Sequence, residues 1–205
     1  MNQHLWWYVA RASGVVSWVL VSASVVFGLS LSLRLTRKPK PAWVLDLHRF
    51  LGGLSVLFVG VHLVGLVLDS YAKFGLSELF VPLASAWKPV PVAWGVVALY
   101  LLLAVEATSL GMKHLPRKFW RVVHFTSYGV FALSTLHMFT AGTDASNPLL
   151  QWAGLGVTAV VVFLTIARML GAKRVRSERV VAARPRVVAT APTPLVSVGA
   201  DSDVA

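Results

Sequence analysis

Apolar residues run in five long blocks along the chain, at residues 5–33, 44–68, 92–110, 122–141 and 149–170. A hydrocarbon core of about 30 Å takes roughly 20 helical residues to cross, and each block meets that length. Within a bilayer no water is at hand for open backbone groups, so an apolar block of this size reads as helix. Charge, proline and glycine positions punctuate the blocks at 34–41, 88–91, 113–121 and 147–148. The pattern predicts an all-α integral membrane bundle of five transmembrane helices over residues 1–171. The first block is too long for the apolar core of a signal peptide, and Met1 to Trp7 carries no basic side chain, so it reads as a permanent helix. Residues 172–205 hold Ala, Val, Pro, Arg and Ser with no aromatic residue, which predicts a basic, disordered cytoplasmic tail.

Charge then orients the bundle. Arg34, Arg37, Lys38 and Lys40 lie between the first two blocks, Lys113, Arg117, Lys118 and Arg121 between the third and fourth, and Lys173, Arg174 and Arg176 after the fifth. With five crossings all three clusters fall on one side, which the positive-inside rule makes cytoplasmic, and the N-terminus lies outside. The opposite side carries Lys73 and Lys88 with Asp69, Glu78 and Asp144. Its long connection, residues 69–91, holds Tyr71, Phe74, Phe80 and Trp87 and reads as a cap over the outer mouth. The net charge of +11 therefore reflects membrane orientation rather than a nucleic-acid surface. At 57% hydrophobic and 13% charged, the composition is that of a chain solvated by lipid. The absence of cysteine excludes thiolate ligation, so metal chemistry here must rest on His, carboxylate, Met or Tyr.

The histidines carry the chemistry. His4 and His114 lie outside the blocks, whereas His48 and His62 share the second block and His124 and His137 the fourth. At about 1.5 Å per residue, their spacings of 14 and 13 place each pair roughly 20 Å apart along its helix. Both helices run in the same direction, so His48 meets His124 at an inner level and His62 meets His137 at an outer one. Two facing pairs at two depths suit two stacked b-type haems with bis-imidazole axial ligands. A zinc or copper site would draw its ligands into one sphere instead. The 14-residue step returns to within roughly 40° of one face, but the 13-residue step leaves His137 roughly 140° from His124, which demands local overwinding or helix tilt.

Several neighbours admit two readings. Gly52, Gly53, Gly60, Gly65, Gly129 and Ser134 let a flat macrocycle or simply another helix come close. Arg49 and Arg121 adjoin the inner histidines and suit haem propionates or membrane-end anchoring. Arg11, more than a turn inside the first helix, is expected to meet a propionate of the outer haem. Phe131 stands midway between His124 and His137, as a bridge between haems or as plain core. Glu106 has no assigned role.

The stretches LHRFLGGLSVLFVGVHLVGLVLDSY and FWRVVHFTSYGVFALSTLHMFTAGTD, with YVARASGVVSWVL and VPLASAWKP, resemble small bacterial members of the ferric reductase-like transmembrane superfamily. That group includes ferric reductases, NADPH oxidases and the haem-binding membrane subunit of a methionine sulfoxide reductase system, and the likeness spans roughly residues 6–170. It implies that His48, His62, His124 and His137 are axial haem ligands and that electrons cross a bacterial plasma membrane to an external acceptor. The chain shows no glycine-rich nucleotide fingerprint, so it is read as an oxidoreductase component that relies on a separate reductase, quinol or other donor. Any flavin or quinone would be supplied by, or shared with, that partner. A subunit linking quinone to an extracytoplasmic oxidoreductase is a second reading, and a haem-free structural or transport protein a third.

Overall fold

In the computed structural model, which describes residues 4–33, 41–69 and 74–182, every regular element among the described residues is a helix: α1 (Leu5–Ser32), α2 (Ala42–Leu68), α3 (Leu76–Phe80), α4 (Pro89–Leu110), α5 (Arg117–Phe125), α6 (Ser127–Ala141) and α7 (Pro148–Ala182). Proline begins most of them. Pro41 and Pro116 immediately precede α2 and α5, and Pro89 and Pro148 are the first residues of α4 and α7. A proline there has φ already set for a helix and lacks only an N–H that the first turn could not use. Asn147 completes the start of α7, its side-chain oxygen accepting the Leu149 N–H at 2.9 Å.

Helices α1, α2, α4 and residues Pro148–Gly171 of α7 are each long and apolar enough to cross a membrane. Their outward faces stay apolar, with Leu57, Val64, Leu103, Leu155 and Phe163 all exposed, as lipid rather than water demands. The protein is thus a multi-pass membrane protein. The fourth apolar block departs from expectation, because it is two helices and not one. The Thr126 N–H bonds the Val123 carbonyl three residues back at 2.9 Å, and its hydroxyl takes the same carbonyl at 2.7 Å. A 3₁₀-type turn therefore separates α5 from α6, and neither segment alone has the length of a span. The expected tail also changes at its start, since α7 continues to Ala182; the rest of that expectation, over 183–205, lies outside the described residues.

Two helical hairpins build the unit Met1–Gly171. In the first, α2 lies so close along α1 that a Cβ on Gly65 would come within 2.9 Å of the Ala10 nitrogen. In the second, α4 packs on α5 and α6. Trp18 joins the two hairpins, its indole N–H donating to Thr135 Oγ1 at 3.0 Å. Their shared centre is Val21, Leu102 and Val130, flanked by Val56, Val59 and Leu101. Helix α7 covers one side, laying Val161 and Val157 on Leu29 and Phe131.

The segment after residue 73 folds over one end of the bundle. Tyr100 donates to the Phe80 carbonyl at 2.7 Å, and the Trp87 ring meets Phe74 edge-on at 6.3 Å. Lys88, held at φ 45° in the left-handed region, donates to the Thr140 carbonyl at 2.9 Å. Part of the expected cap is therefore present; Tyr71 lies outside the described residues.

Candidate metal centre

The four membrane histidines meet as two pairs. His48 of α2 faces His124 of α5, with ring centres 6.0 Å apart and planes crossed at 79°. His62 of α2 faces His137 of α6 at 6.5 Å and 81°, near the capped end. A metal–imidazole bond of about 2 Å, with about 1 Å more to each ring centre, puts two axial imidazoles about 6 Å apart. Both pairs have the separation that one iron between them requires.

Neighbouring helices hold the rings by the other nitrogen. Nδ1 of His62 lies 2.7 Å from the Ala10 carbonyl, Nδ1 of His48 2.8 Å from the Ser24 carbonyl, and Nδ1 of His137 2.9 Å from the Pro91 carbonyl. A carbonyl oxygen only accepts, so Nδ1 carries the proton and Nε2 keeps the lone pair that binds a metal. This is the usual support of a metal-bound imidazole, and it also raises ligand basicity. His124 differs, since its Nδ1 meets the Ser109 hydroxyl at the longer distance of 3.4 Å. Among the described residues no three His, Asp or Glu side chains gather as a closed metal cage would need. Two ligands per centre suit a cofactor that brings its own in-plane nitrogens.

The spacing of 13 residues becomes intelligible at Thr126. A 3₁₀ turn advances about 120° per residue against about 100° in an α-helix, which adds rotation in the sense that the shortfall needs. His124 and His137 also sit on separate segments, so one helical screw does not fix both directions.

The family model described as Ferric reductase like transmembrane component matches residues 13–135, more than half of the chain. The chain belongs to that family. No curated protein and no solved structure matches it. The matched stretch of this ferric reductase-like chain includes His48, His62 and His124 and ends two residues before His137.

In this family member an apolar cavity descends from the capped end, past His62 and His137, to Val21, Leu102 and Val130. Trp7, Arg11, Glu78, Trp87 and Asp144 contribute to its walls. Arg11 already has a protein partner, for its Nε donates to Asp144 Oδ2 at 2.9 Å and an Nη pairs with the other carboxylate oxygen. Arg49 and Arg121 are exposed. Phe131, expected as bridge or core, is core: it is buried against Leu29 and Val161 and does not line the cavity. Its neighbour Val130, about 100° around the helix, packs on Val21 and Leu102 and lines the cavity instead.

The glycines that touch the rings are not those on the histidine helices. Gly52 packs on the Glu106 carboxylate, Gly65 on Ala10 and Gly129 on Leu101, while Gly53 and Gly60 face open space. The ring contacts come from Gly14 and Gly28 of α1 and Gly95 of α4. Trp120 is a further addition, stacked on His124 with centres 5.0 Å apart and planes 24° from parallel. Its buried indole N–H has no hydrogen-bond partner among the described residues. Gly14, Gly28 and Gly95 lie off the histidine helices and leave no mark in the histidine spacing, whereas Trp120 lies one turn before His124 and shares its face.

Proposed function

We propose that the protein is a di-haem membrane electron carrier of the ferric reductase-like kind. His48 and His124 would hold one b-type haem and His62 and His137 the other. The observation that carries this reading is the pair of facing imidazoles at two depths, 6.0 and 6.5 Å apart. Haem iron, when bound, supplies reversible one-electron chemistry. The chain's own contribution would be two histidine ligands for each iron, which favours electron transfer over ligation of substrate. Val21, Leu102 and Val130 keep the interval between the centres dry. An arginine has five N–H donors, so Arg11 keeps some for an outer propionate beyond those that Asp144 engages. Arg49 and Arg121 would serve the inner propionates.

In this reading α5 and α6 together make the fifth crossing, the N-terminus lies outside, and the basic connections face the cytoplasm of a bacterial cell. Electrons would enter at the His48 level from a separate reductase, quinol or other donor, with any flavin or quinone belonging to that partner. They would leave at the His62 level to an external acceptor such as ferric iron, oxygen or a partner protein. The test is transmembrane transfer in proteoliposomes that enclose a membrane-impermeant reductant, with a ferric chelate outside. Wild-type protein is expected to reduce the external chelate, and His48→Ala and His62→Ala are each expected to abolish that reduction. Equal rates in wild type, both variants and protein-free vesicles would overturn the proposal.

A further inference from the structure

Three of the ring tethers share one construction. His62 reaches the carbonyl of Ala10 and lies against Gly14; His48 reaches Ser24 and lies against Gly28; His137 reaches Pro91 and lies against Gly95. In each case the glycine comes four residues after the acceptor. A helical carbonyl at position i already accepts the N–H of i+4, and its second lone pair is reached from the side over that same residue. A Cβ there would stand where the imidazole must lie. On Gly14 it would be 3.0 Å from His62 Nδ1, on Gly28 3.0 Å from His48 Cε1, and on Gly95 2.7 Å from His137 Nδ1. The glycine therefore opens the carbonyl to the ring.

The fourth position shows the alternative. Gly14 and Gly28 are 14 residues apart on α1, and the same step from Gly95 on α4 reaches Ser109, one turn after Val105. Ser109 has the Cβ that the glycines lack, and there the ring's partner is the serine hydroxyl at 3.4 Å. Two hairpins thus present one register four times, with a single exception.

We propose that Gly14, Gly28 and Gly95 are positioning residues that give three histidines a backbone-carbonyl partner, and that Ser109 leaves His124 with a weaker one. This rests on the haem assignment. A firm acceptor at Nδ1 makes an imidazole a stronger donor to the metal, which stabilises the oxidised centre and lowers its potential. The four positions thereby tune the two centres separately.

The experiment is a potentiometric titration of haem absorbance, with low-temperature EPR, on the full chain in detergent. His62→Ala serves to identify the outer wave. Gly95→Ala is expected to raise the outer midpoint and change the EPR anisotropy set by the crossed ring planes, leaving the inner wave in place. Ser109→Gly is expected to lower the inner midpoint alone, because it removes the Cβ beside the Val105 carbonyl and lets His124 compete there with the Thr108 hydroxyl, which that carbonyl accepts at 3.2 Å. Gly60→Ala, built into open space, is expected to move neither wave. If Gly95→Ala does not assemble, Ser109→Gly, which only removes atoms, decides the matter. Wild type with two haems and an inner midpoint unchanged by Ser109→Gly would overturn this inference and leave the haem assignment standing. Colourless wild type would overturn the assignment itself.

Discussion

Changing either His62 or His137 to alanine is expected to leave about one haem per chain where the wild type is expected to hold two, with about half the reduced b-type absorbance. The two substitutions should be equivalent, because under the proposed assignment each would remove one of the two ligands of the same centre, whose rings stand 6.5 Å apart. The cavity around that centre has no other histidine in its walls, so no second imidazole replaces the missing bond. The remaining haem should keep its spectrum, since Val21, Leu102 and Val130 separate the levels. His48→Ala and His124→Ala should give the complementary loss. A variant combining His62→Ala with His48→Ala is expected to be colourless, whereas His62→Ala with His137→Ala should match either single variant. Haem content and difference spectra of the purified variants check all of these outcomes.

Gly65→Leu is expected to have the largest effect on folding. Its Cβ would lie 2.9 Å from the Ala10 nitrogen, 3.0 Å from Ala10 Cα and 3.1 Å from Ala10 Cβ, a backbone that has no rotamer by which to yield. Forcing a large side chain into such a contact costs about 1–3 kcal/mol and separates the helices. The same Ala10 supplies the carbonyl that holds His62 at 2.7 Å, so the wedge should also loosen one ring of the outer pair. Reduced recovery of monodisperse protein is expected, with the outer haem depleted first in what remains. Gly53→Leu, on the same helix but facing open space, should behave as wild type. Size-exclusion profiles and haem ratios from parallel preparations measure both effects. Normal recovery with a full outer haem in Gly65→Leu would contradict this account of the α1–α2 contact.

Four of the spans and the pairing of the histidines were legible from sequence because both follow from coarse periodicities. A block of about 20 apolar residues leaves little choice but helix, and two histidine spacings of nearly equal rise leave little choice but two levels. The break at Thr126 was not legible in the same way. Thr126 sits between Phe125 and Ser127 with neither proline nor glycine beside it, and its mark in sequence is the 13-residue spacing that one straight helix does not satisfy. Phe131 lies midway in height between two histidines, but height does not fix direction: Phe131 packs on Leu29 and Val161, and the cavity is lined by its neighbour Val130. The glycines that seat the rings leave no mark in the histidine spacing because they lie on α1 and α4, and what identifies them is the contact across helices. Their trace in sequence is a second 14-residue step, from Gly14 to Gly28, matching the step from His48 to His62. Arg11, expected at an outer propionate, is paired within the protein. Its partner Asp144 lies 133 residues away, and only the fold brings the two together.

The most direct test of the central claim is haem per chain, measured by pyridine haemochromogen on the purified full-length protein against its peptide concentration. Two b-type haems per chain are expected, falling to one in His62→Ala and in His48→Ala. A colourless protein, or haem content that neither substitution changes, would contradict the assignment of the two histidine pairs.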